Sequence, residues 1–384
     1  CPRCGTRIVP ERNSRREAYG VDVSPTRFRL HCPDDQCSLH GEIPVSMVDD
    51  DLFQNPPTFV IGTIDKFAQL AWKAEPRKMF GSLNPDKLPP SLIIQDELHL
   101  INGPLGTIAG GYEAGIETVI REAGIVPKYL AATATIQRAE DQCRALYGRS
   151  ASVFPPTGLD ADDAYFTRRD TDSPGRTYIG VMSQGPYSIL TSLVSVSAAA
   201  ASAAGAVAPP GHVERDSYWT QVIYHNSRRE LGKTTTMVRD DVDKRLSVLE
   251  KDKNEKNKRT FESVEELSAN LKGPEVTRAL ERLQVRYPDK SVIDMVACTN
   301  MLSVGIDVGR LGLMIMKSQP KTTAEYIQAT SRVGRDPKRP PGVVVTLYSP
   351  NRPRDRSHFE DFQAYHMALY KAVEPSSVTP FAEP

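Results

Sequence analysis

Asp96 and Glu97, with His99 two residues further on, stand directly after the apolar run Ser91-Leu92-Ile93-Ile94-Gln95. Adjacent carboxylates delivered by a buried strand suit the hydrolysis of a nucleoside triphosphate. One carboxylate holds the Mg²⁺ that bridges the β- and γ-phosphates, and a second group orients or deprotonates the attacking water. Asp96 fits the metal role and Glu97 the water role, while His99 is placed to sense the γ-phosphate. Taken alone, the same residues also read as an acidic turn after a strand. About thirty-five residues later, Ala132-Thr133-Ala134-Thr135 ends another apolar run. The hydroxyls of Thr133 and Thr135 can hydrogen-bond to the acidic motif and transmit the nucleotide state.

The second half of the chain supplies a basic counterpart. Thr299 to Asp307 reads Thr-Asn-Met-Leu-Ser-Val-Gly-Ile-Asp, and Gln328 to Arg335 reads Gln-Ala-Thr-Ser-Arg-Val-Gly-Arg. The spacing of Arg332 and Arg335 predicts two guanidinium groups on one face of a helix. An ATPase built where two domains meet needs arginines from the far side to neutralise charge developing on the γ-phosphoryl group. Gly305 allows close backbone approach, Asp307 can organise a ribose or an arginine, and Thr299 can reach a nucleic-acid phosphate.

The order of these segments resembles motifs II (Asp96 to His99), III (Thr133 to Thr135), V (Val304 to Asp307) and VI (Gln328, Ser331, Arg332, Gly334, Arg335) of superfamily 2 helicases. Gly62-Thr63-Ile64-Asp65-Lys66-Phe67 sits where that family contacts DNA, which puts Thr63 and Lys66 among the nucleic-acid contacts. Tyr224-His225-Asn226-Ser227-Arg228 resembles motif IV and adds Ser227 and Arg228. The run from Asp96 to Glu113, with Asn226 to Gly232, is similar to the DrmA helicases of DISARM anti-phage defence systems. The resemblance implies ATP and Mg²⁺ as cofactors and a cytoplasmic location. It also implies a DNA substrate, single-stranded or duplex with a single-stranded end, and a DrmB-like partner subunit.

One departure stands out. Residues 1–95 contain no Gly-x-x-x-x-Gly-Lys-Ser/Thr loop to cradle phosphates. Gly232-Lys233-Thr234 follows the carboxylates instead of preceding them and has Ser227 where the first glycine would stand, so it reads as a helix end. With Cys1 as the first residue, the loop is expected upstream of this numbering, unless the motor is vestigial. Two further readings therefore stay beside the helicase or translocase: a non-catalytic nucleic-acid-binding scaffold, and the motor of a restriction-type nuclease complex. No carboxylate-plus-lysine nuclease cluster stands out here.

Four of the six cysteines crowd the front as Cys1-x-x-Cys4 and Cys32-x₄-Cys37. Two short thiolate hooks around a 27-residue loop predict a structural Zn²⁺ with four protein ligands and no open position. His31 and His40 flank the second hook as possible substitutes. Arg12, Arg15, Arg16, Arg27 and Arg29 would permit phosphate contacts. Cys143 and Cys298, far apart, read as small buried hydrophobes.

The elements that must position these groups follow from the apolar runs. Residues 58–147 alternate short apolar stretches (TFVIGT, SLIIQDE, KYLAATAT) with helical patterns, and WTQVIYHN, VIDMVACTN, LGLMIMKS and GVVVTLYS repeat the pattern later. Continuous apolar runs mark parallel strands buried on both faces. The expected fold is α/β, with two RecA-like parallel-sheet domains and a zinc-binding cysteine element. The boundaries are 1–45 for that element, inserted in or attached to the first motor domain, and 46–155 for the rest of the domain. A linker and helical crossing follows at 156–212. The second domain is 213–384, with a charged helical insertion at 240–283. Lys+Arg 48 against Asp+Glu 48 argues against blanket electrostatic wrapping of DNA and confines nucleic-acid contact to a cleft. No membrane span is expected, because the Ala/Ser-rich run Ser195 to Ala208 stops at Pro209-Pro210.

Overall fold

The structure is a computed structural model that describes residues 1–9, 19–25, 27–81, 88–133, 138–156, 165–166, 168, 170, 172–184, 187–251, 259–299 and 307–374. The chain forms two compact units, one from Cys1–Thr133 and Arg138–Ser152, the other from Val153–Pro375.

The first unit opens on an antiparallel hairpin of β1 (Val21–Ser24) and β2 (Arg27–Leu30). Its second sheet is a parallel pair, β3 (Leu92–Gln95) and β4 (Lys128–Ala131), in the register Gln95 to Ala131. The helix Gly103–Glu122 crosses between them, as parallel neighbours require. It buries Gly106, Ala109, Glu113, Ile116 and Ile120, a stripe at helical spacing. Ile116 and Ile120 pack with Phe53, Met79 and Phe80. The carboxyl group on this stripe, Glu113, is pushed up to about 7 by burial and by Glu117. The run TFVIGT, expected as a strand, forms none. Phe59 and Ile61 are exposed there, and Thr63 stands at the N-terminal boundary of the helix Ile64–Ala68 without a side-chain capping bond.

The second unit is built on a six-stranded, wholly parallel sheet of order β5-β10-β9-β6-β8-β7. The strands are β5 (Thr177–Met182), β6 (Gln221–His225), β7 (Val264–Leu267), β8 (Met295–Cys298), β9 (Leu313–Lys317) and β10 (Val343–Tyr348). Every residue of β6, β8 and β9 is buried. One face packs Val222, Tyr224, Met314 and Met316 against Tyr326 and Ala329, and the other packs Ile223, Ile315 and Leu347 against Leu193 and Ala201.

Two edge strands differ from the sequence reading. β5 lies in what reads as a linker and crossing, because the run TYIGVM follows a Pro- and Asp-rich stretch and precedes a long helix. β7 lies inside the charged insertion, where Val-Glu-Glu-Leu has no apolar run to announce it. Edge strands have one open side and tolerate charge there. Residues 252–258 of that insertion lie outside the described residues. The helix Ile189–Ala206 is long and apolar enough by length and composition to cross a bilayer. Here Leu193, Ala198 and Ala201 belong to the sheet's core, and Ser197 Oγ donates to Gln221 Oε1 at 2.9 Å.

Candidate nucleotide site and metal centre

In the first unit the parallel register brings the acidic motif and the Thr133 segment out of the sheet side by side. Ala132 N donates to Gln95 O at 2.8 Å, and Leu98 N donates back to Ala132 O at 3.0 Å. Asp96 is exposed and its Oδ1 accepts from Glu97 N at 2.9 Å. Glu97 sits in the left-handed region at φ 51°, uncommon for a residue with a Cβ and concentrated where function over-determines the backbone. That turn sends the chain into the short helix Leu98–Leu100 and buries His99. The imidazole Nδ1 lies 3.1 Å from Thr133 Oγ1 and 3.4 Å from Glu97 Oε2. One ring therefore touches both motifs. Thr135 lies outside the described residues.

A residue that no motif announced holds this loop. Gln142 is buried, and its Nε2 donates to Leu98 O at 3.1 Å and to Ile101 O at 2.7 Å. Its only sequence signal is a polar side chain on the inner face of the helix Ala139–Tyr147. Of the expected nucleic-acid contacts, Thr63 is exposed, whereas Lys66 Nζ forms an ion pair with Asp49 that holds the Asp49 carboxyl below the usual carboxylate range.

In the second unit, one expectation is corrected. The helix Thr323–Thr330 carries Gln328 but ends before Arg332 and Arg335, which lie in the turn that follows. The turn closes through Gly334 at φ 63°, whose N donates to Leu311 O at 2.8 Å. A Cβ there would meet the Gly342 backbone N at 2.2 Å, so glycine is required, and its left-handed φ takes the chain off the continuous helix that the arginine spacing suggests. Arg335 Nη1 lies 3.1 Å from Asp307 Oδ1, which joins the ends of the two basic-half motifs. Gly305 is outside the described residues, and Thr299 is buried at the end of β8.

Ser227 and Arg228 leave the sheet at the end of β6. Ser227 Oγ accepts from Glu230 N at 3.4 Å, and Arg228 Nη1 donates to Asn270 Oδ1 at 3.3 Å. Beside them is a polar cluster, with Lys317, Ser318 and His225 buried, Glu230 half-buried and Arg352 exposed, that periodicity could not separate from strand core. Arg352 donates to Glu230 Oε1 at 2.7 Å and to Ser318 Oγ at 3.1 Å, and Lys317 Nζ lies 3.7 Å from Glu230. Burial, helped by Lys317, pushes His225 down to about 3 and keeps it neutral.

The cysteine cluster is assembled within the first unit. The Sγ atoms of Cys1, Cys4, Cys32 and Cys37 all lie within 4.8 Å of one another, with Cys1 to Cys37 at 3.8 Å and Cys4 to Cys32 at 3.5 Å. Four sulfurs about 2.3 Å from a tetrahedral ion stand about 3.8 Å apart, so the set fits Zn²⁺. Hydrogen bonds from Thr6 pull the Cys4 thiol down to about 7, and burial pushes Cys32 up to about 11. His40 Nδ1 bonds to Cys32 O at 2.8 Å, which orients that hook from outside the sulfur set. Arg27 and Arg29 are paired with Glu42 and Asp22. Arg12, Arg15 and Arg16 lie outside the described residues. We expect the purified protein to carry about one zinc ion per chain, releasable by a mercurial thiol reagent. Cys32→Ser is expected to lose the metal and to open residues 1–45 to protease. Metal analysis and limited proteolysis check both, and full zinc content in Cys32→Ser would exclude this ligand set.

Residues 220–337 match the helicase conserved C-terminal domain. The chain is 38% identical to the DISARM protein DrmA of Bacillus paralicheniformis over 426 aligned positions, which cover 100% of this chain and 37% of that protein. Among solved structures, the DUF1998 helicase MrfA bound to DNA superposes with a TM-score of 0.52 at 16% identity, over 76% of this chain and 33% of that one. The helicase Lhr of Mycobacterium smegmatis, bound to single-stranded DNA and AMP-PNP, gives a TM-score of 0.52 at 15% identity, over 85% of this chain and 36% of that one.

Proposed function

We propose, from the premise that this chain has the superfamily 2 helicase fold and resembles the DISARM protein DrmA along its whole length, that it is the motor core of an ATP-driven DNA translocase or helicase of bacterial anti-phage defence. The observation that carries this reading is the contact of His99 with both Glu97 and Thr133, which ties a water-activating carboxylate to a strand-end relay. Mg²⁺ arriving with ATP would be held by Asp96 and would neutralise the β- and γ-phosphate oxygens. Glu97 orients and deprotonates the attacking water, His99 reports the γ-phosphate to Thr133, and Gln142 keeps the loop from drifting. Arg332 and Arg335, with Gln328 and Asp307, act on nucleotide phosphate. Thr63, Lys66, Ser227, Arg228 and Thr299 hold the nucleic-acid backbone. Lys66 and Arg228 exchange their present partners, Asp49 and Asn270, for phosphate. Alternating nucleotide states move DNA because affinity for it differs between them. A cytoplasmic location and a DrmB-like partner subunit go with this reading, and the zinc centre is structural.

The test is ATP hydrolysis by the full-length protein with and without single-stranded DNA, duplex DNA and duplex with a single-stranded end. We expect stimulation by at least one of these, at turnover of the order of 1 s⁻¹ or faster. DNA binding without any hydrolysis would favour the non-catalytic scaffold.

A further inference from the structure

Arg176 stands immediately before β5, in the segment that reads from sequence as a crossing between domains. Its guanidinium reaches across to the turn that carries the two arginines. Nε donates to Val333 O at 2.7 Å and Nη2 donates to Ser331 O at 3.2 Å. These two carbonyls flank Arg332, and Val333 is fully buried between Arg332 and Gly334. From the opposite side, Gly334 N is tied to Leu311 O. Further along the same loop, Arg339 Nη1 donates to the buried Asp216 at 2.8 Å, and Asp216 also faces Arg310 Nη1 at 3.5 Å. The turn is thus pinned at both ends by guanidinium groups. Arg176 is the guanidinium that donates to the carbonyls on either side of Arg332.

We infer that Arg176 is a positioning residue for nucleotide hydrolysis: its forked donors set the direction in which Arg332 and Arg335 leave the turn. The inference rests on the reading that those arginines act on the γ-phosphate. Two charge-assisted bonds to carbonyls two residues apart fix the course of the backbone between them as well as a distance, and lysine cannot reproduce the fork. A displacement of about 1 Å at a group that stabilises a transition state costs on the order of 10²-fold in rate. The side chain itself touches no substrate. Its effect should therefore fall on kcat and spare the ground-state affinity for ATP. The position also explains why an edge strand comes from the crossing segment: the pairing of Thr177 N with Gly342 O fixes the backbone from which Arg176 reaches.

The experiment compares wild type, Arg176→Ala, Arg176→Lys and Arg335→Ala in the full-length protein. It records kcat and KM for ATP under DNA stimulation together with the thermal midpoint. The inference expects Arg176→Ala to lose about 10- to 100-fold in kcat with KM and midpoint nearly unchanged. Arg176→Lys, able to reach one carbonyl, should recover part of the loss. Wild-type kcat in Arg176→Ala would overturn the inference and leave the wider reading intact. A fall in kcat accompanied by a matching fall in thermal midpoint, without recovery by lysine, would also overturn it, making Arg176 a stabilising residue only. Unchanged turnover in Arg335→Ala would overturn the reading of the arginines and the inference with it.

Discussion

Replacing Glu97 with Gln in the full-length protein is expected to lower ATP turnover by about 10²- to 10⁴-fold and to leave ATP affinity within a few-fold of wild type. Glutamine keeps the size of the side chain and asks the same left-handed backbone of its residue, at φ 51°. It also keeps a hydrogen-bonding atom near His99, so the local fold has no reason to change. What it removes is the carboxylate that orients and deprotonates water. Phosphate release under saturating DNA, beside nucleotide binding measured directly, separates the two quantities. Turnover at the wild-type rate would remove Glu97 from the chemistry and leave Asp96 to be assigned alone.

The second large effect is expected from Gly334→Ala. A methyl group at this position meets backbone atoms of Gly342, the N at 2.2 Å and the Cα at 2.5 Å, and the φ of 63° is unfavourable for any residue with a Cβ. Left-handed strain and forced overpacking each cost about 1–3 kcal/mol, so a loss of about 2–6 kcal/mol is expected. In a unit of this size, that is a fall in thermal midpoint on the order of 10 °C. Turnover should fall as well, because Arg332 and Arg335 flank the strained residue. Gly232→Ala is the control. It lies within the helix Arg228–Met237 with nothing within 4 Å of the added carbon, so stability should hold or rise by up to about 1 kcal/mol. Since Gly232-Lys233-Thr234 lies in mid-helix, neither at the helix end that its sequence suggests nor in a phosphate loop, ATP turnover of this variant should stay at the wild-type rate. Scanning calorimetry and steady-state turnover on both variants decide the matter.

What could be read from the residues was what has a period or a fixed spacing. The central strands β6, β8, β9 and β10 announce themselves as unbroken apolar runs because they are covered on both faces. The cysteine hooks announce themselves because a tetrahedral ion demands that spacing. The edge strands did not, since β7 has only four residues, two of them glutamates, and β5 sits in a stretch whose prolines and aspartates suggest a connection. The helical placement of Arg332 and Arg335 failed for a local reason. Spacing of three is compatible with a helix, but the glycine between them adopts a conformation that ends one. Gln142 and Arg176 were not legible at all. Each acts by donating to backbone carbonyls distant in the chain, and carbonyls carry no sequence signature.

The strand β7 carries a consequence for how this protein behaves when crowded. A sheet that ends in open N–H and C=O groups is a template on which another chain can anneal, and fibres grow by that route. Here the terminal ribbon is only four residues long, its Glu265 is engaged by Arg282 from the helix Gly273–Leu283, and Glu266 lies beside it. A foreign strand settling along this border would have to desolvate two carboxylates for a handful of backbone bonds. The border is thereby kept solitary, and self-association through it is disfavoured even at high local concentration.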